Sequence, residues 1–122
     1  MYIISVERSF DAAHFLRGYA GKCEKLHGHR YKVVTRLICR ELNEVGLAYD
    51  FTVLKRQVAE VIDKYDHQCL NDIEPFDRIN PSSENIASTI YDTLKAAFKG
   101  GVGLDSVEVW ESPESSALYR PG

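Results

Sequence analysis

The sequence predicts an α+β fold in which an antiparallel sheet of four strands carries two helices on one face. Three observations support this prediction. Apolar and polar residues alternate with the period of a strand near both ends of the chain. The middle of the chain carries two apolar stripes with helical spacing, which gives the order ββααββ. The length of 122 residues suits one domain, and we expect it to span residues 1–122.

The first two strands are predicted to form a hairpin. Within residues 2–14 apolar side chains occupy alternate positions, and His14 falls on the same face as Phe10 and Ala12. A segment with two glycines and no periodicity, residues 16–25, reads as the connecting loop. A second alternating segment runs from about residue 26 to residue 40.

Two helices are expected in the middle of the chain. The first begins near Asp50 or Thr52, either of which could cap it, and is expected to end near Lys64. The second follows PSSEN at 81–85 and ends at the glycine pair 100–101. The apolar stripes are Leu54, Val58, Val61, Ile62 and Tyr65, then Ile86, Ile90, Tyr91, Leu94, Ala97 and Phe98.

The remaining segments complete the predicted order. Residues 66–80 lie between the helical stripes and are expected to form a connecting loop. Alternation resumes at residues 107–110, and after a turn at SPES the chain continues as a last strand at residues 117–120. We therefore expect a second hairpin at the end of the chain.

Composition argues against two classes of protein. Lys and Arg total 15 against 18 Asp and Glu, a net charge of -3, whereas a nucleic-acid binder needs a basic face. No apolar run approaches the roughly 20 residues of a membrane span, and the N-terminus lacks a secretory pattern. We therefore expect a cytoplasmic protein that contacts neither nucleic acid nor membrane. Three cysteines cannot all pair, and free thiols are expected at Cys23, Cys39 and Cys69.

A pair of histidines suggests a metal site. His27 and His29 are two positions apart at the start of a predicted strand, so both side chains leave the same face, and Gly28 adds no side chain between them. Pairing of the first two strands can supply His14 as a third imidazole. Three histidines with an open fourth position are typical of catalytic zinc. A single histidine would more often be a packed or surface residue, and for the three together a metal site and that ordinary role stay equal alternatives.

Cys23 lies four residues before His27 and allows two interpretations. It could be a fourth ligand that closes a structural zinc site. It could instead be a thiol that acts as a base or nucleophile near the metal, where its pKa would be lowered. A chain able to bury a sizeable core does not need zinc to fold, which favours the second interpretation.

Three further polar residues are candidates for the same chemistry. Asp66 directly precedes His67 and could position or polarise it as a base, although a solvated loop explains both residues equally well. Glu111 ends a predicted strand, where its carboxylate could accept hydrogen bonds from an amidine-like face of a ligand. Taken alone, such a glutamate is more often a surface charge.

Six short segments together resemble the 6-pyruvoyl-tetrahydropterin synthase family over nearly the whole chain. They are FDAAH at 10–14, CEKLHGHRY at 23–31, YDF at 49–51, DHQCLN at 66–71, PSSENIA at 81–87 and VWES at 109–112. The cysteine four residues before HGH, in a short chain, resembles the bacterial branch of the family, the 6-carboxy-5,6,7,8-tetrahydropterin synthases of queuosine biosynthesis.

The resemblance implies a tunnelling fold, in which the sheets of three subunits close a barrel. Two such trimers would stack into a homohexamer with active sites between subunits. It further implies Zn²⁺ as cofactor and conversion of 7,8-dihydroneopterin triphosphate to 6-carboxy-5,6,7,8-tetrahydropterin, with release of acetaldehyde and triphosphate. One alternative is a 6-pyruvoyl-tetrahydropterin synthase that keeps the carbon side chain. Another is a non-catalytic, zinc-stapled binding module in which Cys23 completes the metal shell.

Ten residues match positions that have known roles in the family. They are the zinc ligands His14, His27 and His29, the proton-transferring Cys23 with its partners Asp66 and His67, the pterin-anchoring Glu111, and the pocket-lining Ser82, Ser83 and Glu84. The family often has threonine where this chain has serine in the pocket segment, and serine keeps the hydroxyl group.

Overall fold

The structure, a computed structural model, describes residues 1–18 and 25–122. The helices and strands in these residues are β1 (Tyr2–His14), β2 (His27–Cys39), α1 (Phe51–Ile62), β3 (Gln68–Cys69), α2 (Ser83–Leu94), β4 (Val102–Ser112) and β5 (Ser115–Tyr119). The predicted order ββααββ is confirmed, with one short strand added between the helices. Helix α1 ends two residues before the predicted position because residues 63–65 form a 3-10 turn.

The strands of the described residues form one sheet in the order β3-β1-β2-β4-β5. The four predicted strands pair antiparallel, and the β1–β2 register runs from Tyr2 opposite Cys39 to His14 opposite His27. The added strand β3 runs parallel to β1 at the sheet edge. Its two residues are too few to show alternation, so the prediction of a plain connecting loop at 66–80 was wrong at this point.

Strand β4 begins at Val102, about five residues earlier than predicted. The register between β2 and β4 shifts after Ser106, where Leu104 is the next paired residue and Asp105 is extra. A bulge of this kind reverses which side chains face the core, so Leu104, Ser106 and Val107 are all buried. The broken alternation is the reason that the start of β4 is not visible in the sequence.

Both helices cover the same face of the sheet, as predicted. Each helix buries its apolar stripe against the inward side chains of β1, β2 and β4 in a single cluster. Its largest fully buried members include Phe10, Tyr31, Tyr65 and Phe76. Phe10 and Tyr31 are paired across β1 and β2, and their rings stack at 4.9 Å between centroids. This pair lies next to the end of the two strands that carries the histidines. The core therefore fixes the backbone from which the histidines project.

The opposite face of the sheet carries ion pairs and has no helix on it in the described part of the chain. Glu7 and Lys32 pair at 3.9 Å, and Arg36 and Glu108 pair at 3.0 Å across neighbouring strands. The ring of Trp110 lies 5.1 Å from the Lys32 ammonium group. None of the helices described in residues 1–18 and 25–122 has the length and apolar character that a membrane crossing requires.

Candidate metal centre and active site

The three predicted ligand histidines meet at one end of the sheet. The β1–β2 register sets His14 opposite His27, and His29 follows two positions later on the same face. Ring centroids are 4.6 Å apart for His14 and His27, 5.1 Å for His14 and His29, and 4.8 Å for His27 and His29. The predicted convergence of the three imidazoles is confirmed.

The outer nitrogen of His14 is held by the segment before α2. His14 Nδ1 lies 2.7 Å from the Pro81 carbonyl oxygen, which can only accept, so Nδ1 carries the hydrogen. The buried Tyr31 hydroxyl lies 3.0 Å from the same nitrogen. His14 is 2% exposed, and Nε2 is left as an acceptor that faces the other histidines.

His27 is oriented in the same way by its own loop. Its Nδ1 lies 2.7 Å from the Lys25 carbonyl oxygen, so this nitrogen also carries the hydrogen. The Nε2 atoms of His14 and His27 are 3.1 Å apart. With both Nδ1 atoms protonated, neither neutral ring has a proton to donate across this gap, and two lone pairs face each other. A cation between them removes the repulsion, and two nitrogens on one tetrahedral zinc ion are about 3.3 Å apart.

His29 and Glu111 complete the cluster. The Nε2 of His29 lies 2.8 Å from one Glu111 carboxylate oxygen, but outside hydrogen-bond geometry, so this buried nitrogen has no hydrogen-bond partner. The same oxygen lies 3.8 Å from His14 Nε2. The ligand atoms of His14, His27, His29 and Glu111 all lie within 4.8 Å of one another. These four side chains could hold a metal ion, and the unpartnered nitrogen of His29 fits that use.

Burial keeps His14 and His29 in the form that a metal needs. Burial lowers the pKa of His14, against the opposing hydrogen bond to Pro81. Burial also lowers the pKa of His29, against the opposing charge of Glu111. Both imidazoles therefore favour the neutral state, in which a ring nitrogen offers its lone pair to a metal ion.

A bulge aims Glu111 at the histidines. Trp110 pairs with Ser116 and Ser112 pairs with Ser115, so Glu111 is the extra residue between them. The pairing of β4 with β2 ends at Trp110. Bulges often redirect a side chain beside an active site. Here the Ser83 hydroxyl, at the first turn of α2, lies 3.4 Å from the second carboxylate oxygen of Glu111.

Asp66 and His67 form a second group beside Asp11. The Asp11 N–H donates to Asp66 Oδ1 at 2.9 Å, and this hydrogen bond holds the pKa of Asp66 below its usual range. The same oxygen lies 3.1 Å from His67 Nδ1. The sequence left the geometry of Asp66 and His67 open, and the structure brings their side chains into contact. Asp11 and His14 are three positions apart on β1, so their side chains leave opposite faces of the strand. The group of Asp11, Asp66 and His67 therefore lies towards the face opposite the three ligand histidines.

His67 has an unusual backbone conformation and an exposed side chain. Its φ is 59°, a left-handed value that costs energy in a residue other than glycine. Its N–H donates to the Asp11 carbonyl at 2.6 Å, which holds the residue against β1. The side chain is 78% exposed, so the ring is free to meet a group from outside the described part of this chain.

The predicted pocket segment begins α2. The Ser82 hydroxyl accepts a hydrogen bond from the Asn85 N–H at 3.1 Å and caps the helix. Ser83 is buried and contacts Glu111, whereas Glu84 is exposed in the first helical turn. Ser83 is thus the member of this segment that the structure brings to the cluster. A ligand contact for Ser82 and Glu84 stays a prediction.

Substitution of Ser82 tests its role as the cap of α2. We expect Ser82→Ala to lower the free energy of unfolding by about 0.5 to 2 kcal/mol, because one N–H of the first turn loses its acceptor. Ser82→Asp keeps an acceptor and should retain most of that stability. Denaturant titration of both variants measures the effect. Equal destabilisation by alanine and aspartate would contradict the capping role.

Other residues of the site left weaker signals in the sequence. Cys23 lies outside the described residues, so its position relative to the metal cluster stays a prediction. The carbonyl groups of Lys25 and Pro81 orient two histidines, and backbone groups carry no residue-type signal. Asn71 exchanges two hydrogen bonds of 3.0 Å with the backbone of Phe15, directly after His14. In the sequence, Asn71 was marked only by its place in the motif DHQCLN, which does not indicate that it holds the backbone after His14.

Comparisons with known proteins agree with this geometry. A family model described as 6-pyruvoyl tetrahydropterin synthase matches residues 3–122. The chain is 40% identical over 124 residues to a 6-carboxy-5,6,7,8-tetrahydropterin synthase of Synechocystis, covering 98% of this chain and 93% of that protein. It is 37% identical to the protein of the same name from Bacillus subtilis, covering 97% of this chain and 84% of that protein.

A solved structure shares the fold over the full length. The 6-pyruvoyl tetrahydropterin synthase of Caenorhabditis elegans superimposes with a TM-score of 0.82 at 30% sequence identity. The match covers 100% of this chain and 98% of that one. The fold expected from the sequence is thereby confirmed.

Proposed function

The chain belongs to the 6-pyruvoyl tetrahydropterin synthase family, and we propose that within it the protein is a zinc-dependent 6-carboxy-5,6,7,8-tetrahydropterin synthase. The substrate would be 7,8-dihydroneopterin triphosphate, and acetaldehyde and triphosphate would be released. The observation that carries the proposal is the set of three converging imidazoles beside one carboxylate, with the inward nitrogens of His14 and His27 left unprotonated by their Nδ1 hydrogen bonds. The names of the bacterial relatives support the choice of product.

The chain's own residues suit the steps of this reaction. His14, His27 and His29 would hold the zinc ion, which when bound would polarise the side-chain oxygens of the substrate. Asp66 is ionised and lies 3.1 Å from His67 Nδ1, so that nitrogen holds its proton and the other ring nitrogen can take up or release one. Cys23 would supply the thiol for the second proton transfer.

Glu111 would anchor the pterin ring. A pterin presents a ring N–H and an exocyclic amino group side by side, and a carboxylate accepts both with two parallel hydrogen bonds. The Ser83 hydroxyl, in the first turn of α2, donates to the second oxygen of this carboxylate at 3.4 Å. Recognition and metal binding therefore meet at one end of the sheet.

Incubation of the zinc-loaded protein with 7,8-dihydroneopterin triphosphate tests the function. We expect acetaldehyde and triphosphate in equal amounts. Triphosphate without acetaldehyde would favour 6-pyruvoyl-tetrahydropterin synthase, the activity named for the C. elegans structure. Release of neither product from folded, zinc-loaded hexamer would favour a non-catalytic, zinc-stapled module.

Glu111→Gln should weaken pterin binding. Glutamine keeps the shape of the side chain but turns an NH₂ group towards a ligand donor, and an unpaired buried donor costs about 1 to 3 kcal/mol. We expect affinity for a pterin to fall roughly ten- to a hundredfold. Titration of the folded variant with a fluorescent pterin measures the loss. Unchanged affinity would remove Glu111 from the pterin site.

We also propose a homohexamer, a dimer of trimers, with active sites at subunit boundaries. Among residues 1–18 and 25–122, no helix lies on one face of the sheet, and its edge strand β5 pairs only with β4. The placement of His67 towards the face opposite the metal cluster suits a site shared between subunits. Sedimentation should give about six times the 13.8 kDa of one chain. A stable, active monomer would contradict the assembly and the shared site.

A further inference from the structure

We propose that Glu111 exchanges partners during each turnover: it binds the metal ion with the three histidines while the site lacks a pterin, and it leaves the metal to accept the pterin ring when one enters. This inference rests on the proposed function, because it uses the zinc ion and the pterin assigned there. It adds that the zinc ion and the pterin compete for the carboxylate of Glu111.

The position of the Glu111 carboxylate is the first observation. One carboxylate oxygen lies 2.8 Å from His29 Nε2 and 3.8 Å from His14 Nε2, among the nitrogens that would face the metal. It makes no hydrogen bond to His29 despite that distance. A side chain that served only the pterin would have no reason to lie among the metal-facing nitrogens. Three imidazoles and one carboxylate are instead a complete tetrahedral set of zinc ligands.

The freedom of Glu111 to move is the second observation. Its backbone is the unpaired residue of the bulge between Trp110 and Ser112, so neither neighbouring strand fixes its register. The other carboxylate oxygen has only a long contact of 3.4 Å, to the Ser83 hydroxyl. The side chain is 29% exposed, so a ligand can reach it. Few contacts in the described residues therefore hold the carboxylate in its place beside the histidines.

Competition follows from the number of acceptor atoms. Recognition of the pterin donor pair occupies both oxygens of the carboxylate in two parallel hydrogen bonds. The same carboxylate cannot at that moment hold the metal. The four side chains would hold the ion while no pterin is bound, and Glu111 would release it only as a pterin is bound.

Unsubstituted pterin is the probe, because it has the ring donors but no side chain that could bind the metal. We expect zinc to weaken its binding to the wild-type protein by about 5- to 150-fold. By linkage, saturating pterin should lower zinc affinity by the same factor. Both constants are measured by titration, the second against a competing chelator, and neither needs turnover.

Two variants and a second metal sharpen the test. Glu111→Gln should bind zinc at least ten- to a hundredfold more weakly than wild type, and zinc should no longer affect its residual pterin binding. Glu114→Gln removes an exposed carboxylate three residues away and should match wild type in both titrations. In Co²⁺-loaded protein, pterin should change the visible absorption bands of wild type and of Glu114→Gln, and leave those of Glu111→Gln unchanged.

The possible outcomes separate this inference from the proposed function. Pterin binding that is equal or tighter in the presence of zinc would overturn the exchange while leaving the proposed enzyme intact. Zinc affinity of Glu111→Gln equal to wild type would do the same. Absence of any pterin binding, with or without metal, would overturn both. If the zinc-free protein loses its fold, the Co²⁺ spectra decide: bands unaffected by pterin in wild type would overturn the exchange.

Discussion

Replacement of both His27 and His29 by alanine is expected to reduce bound zinc from about one ion per subunit to almost none. The two residues supply two of three imidazoles, and His14 with Glu111 cannot hold the ion in a closed tetrahedral shell. Metal analysis after exhaustive dialysis measures the loss. A chelator should lower the melting temperature of the wild-type protein, because zinc binds the folded state, and should leave the double variant unchanged.

His67→Ala is the matched control for the histidine variant. This substitution also removes an imidazole, but His67 lies beside Asp66 and Asp11 and not among the three ligand histidines. We expect it to lose turnover and to keep its zinc. If the double variant still binds about one zinc ion per subunit, the three histidines are not the metal site, whether or not the variant is active.

Cys23→Ala is expected to abolish turnover with zinc content unchanged. Loss of a positioned proton-transfer group costs about 10² to 10⁴ in rate, and Asp66 with His67 cannot supply a thiol. The rate of acetaldehyde release and metal analysis on the same preparation give the two readouts. The expected pattern is a zinc-loaded, folded and inactive protein.

Cys39→Ala serves as the control for this variant. Cys39 is 6% exposed at the end of β2 that pairs with Tyr2, far along the strand from the histidines, and its thiol donates to the Glu41 carbonyl. Activity should survive this substitution, and a thiol-alkylating reagent should inactivate Cys39→Ala as it inactivates the wild-type protein. If Cys23→Ala instead loses zinc and unfolds, the cysteine is a structural ligand.

Local periodicity was enough to predict most of the fold. Strand β1 lies at the predicted residues 2–14, α1 begins directly after its predicted cap Asp50, and α2 begins inside the predicted start signal at 81–85. These elements are long, and the spacing of their apolar residues stays constant from end to end. Each further apolar residue therefore supports the same assignment. Strand β3 and the start of β4 lacked that repetition. One has two residues, and the other contains the bulge at Asp105 that reverses the alternation.

The sequence by itself also determined which histidines form the candidate metal centre. The spacing of His27 and His29 puts them on one face of any strand, and the hairpin needs only its register to bring His14 opposite. That inference succeeds because alternation is a property of the backbone and needs no knowledge of distant contacts. The six motif segments similarly identified the family that the comparisons confirm.

Only the tertiary structure decided how these groups face one another. The hydrogen bonds from His14 to the Pro81 carbonyl and from His27 to the Lys25 carbonyl fix which nitrogens point inward. The bulge brings Glu111 to within 2.8 Å of His29, although 82 positions separate the two in the chain. Ring tautomers depend on backbone carbonyls, and a bulge depends on the register of two strands. Both arise from contacts between segments remote in sequence, so no local pattern of residues could have specified them.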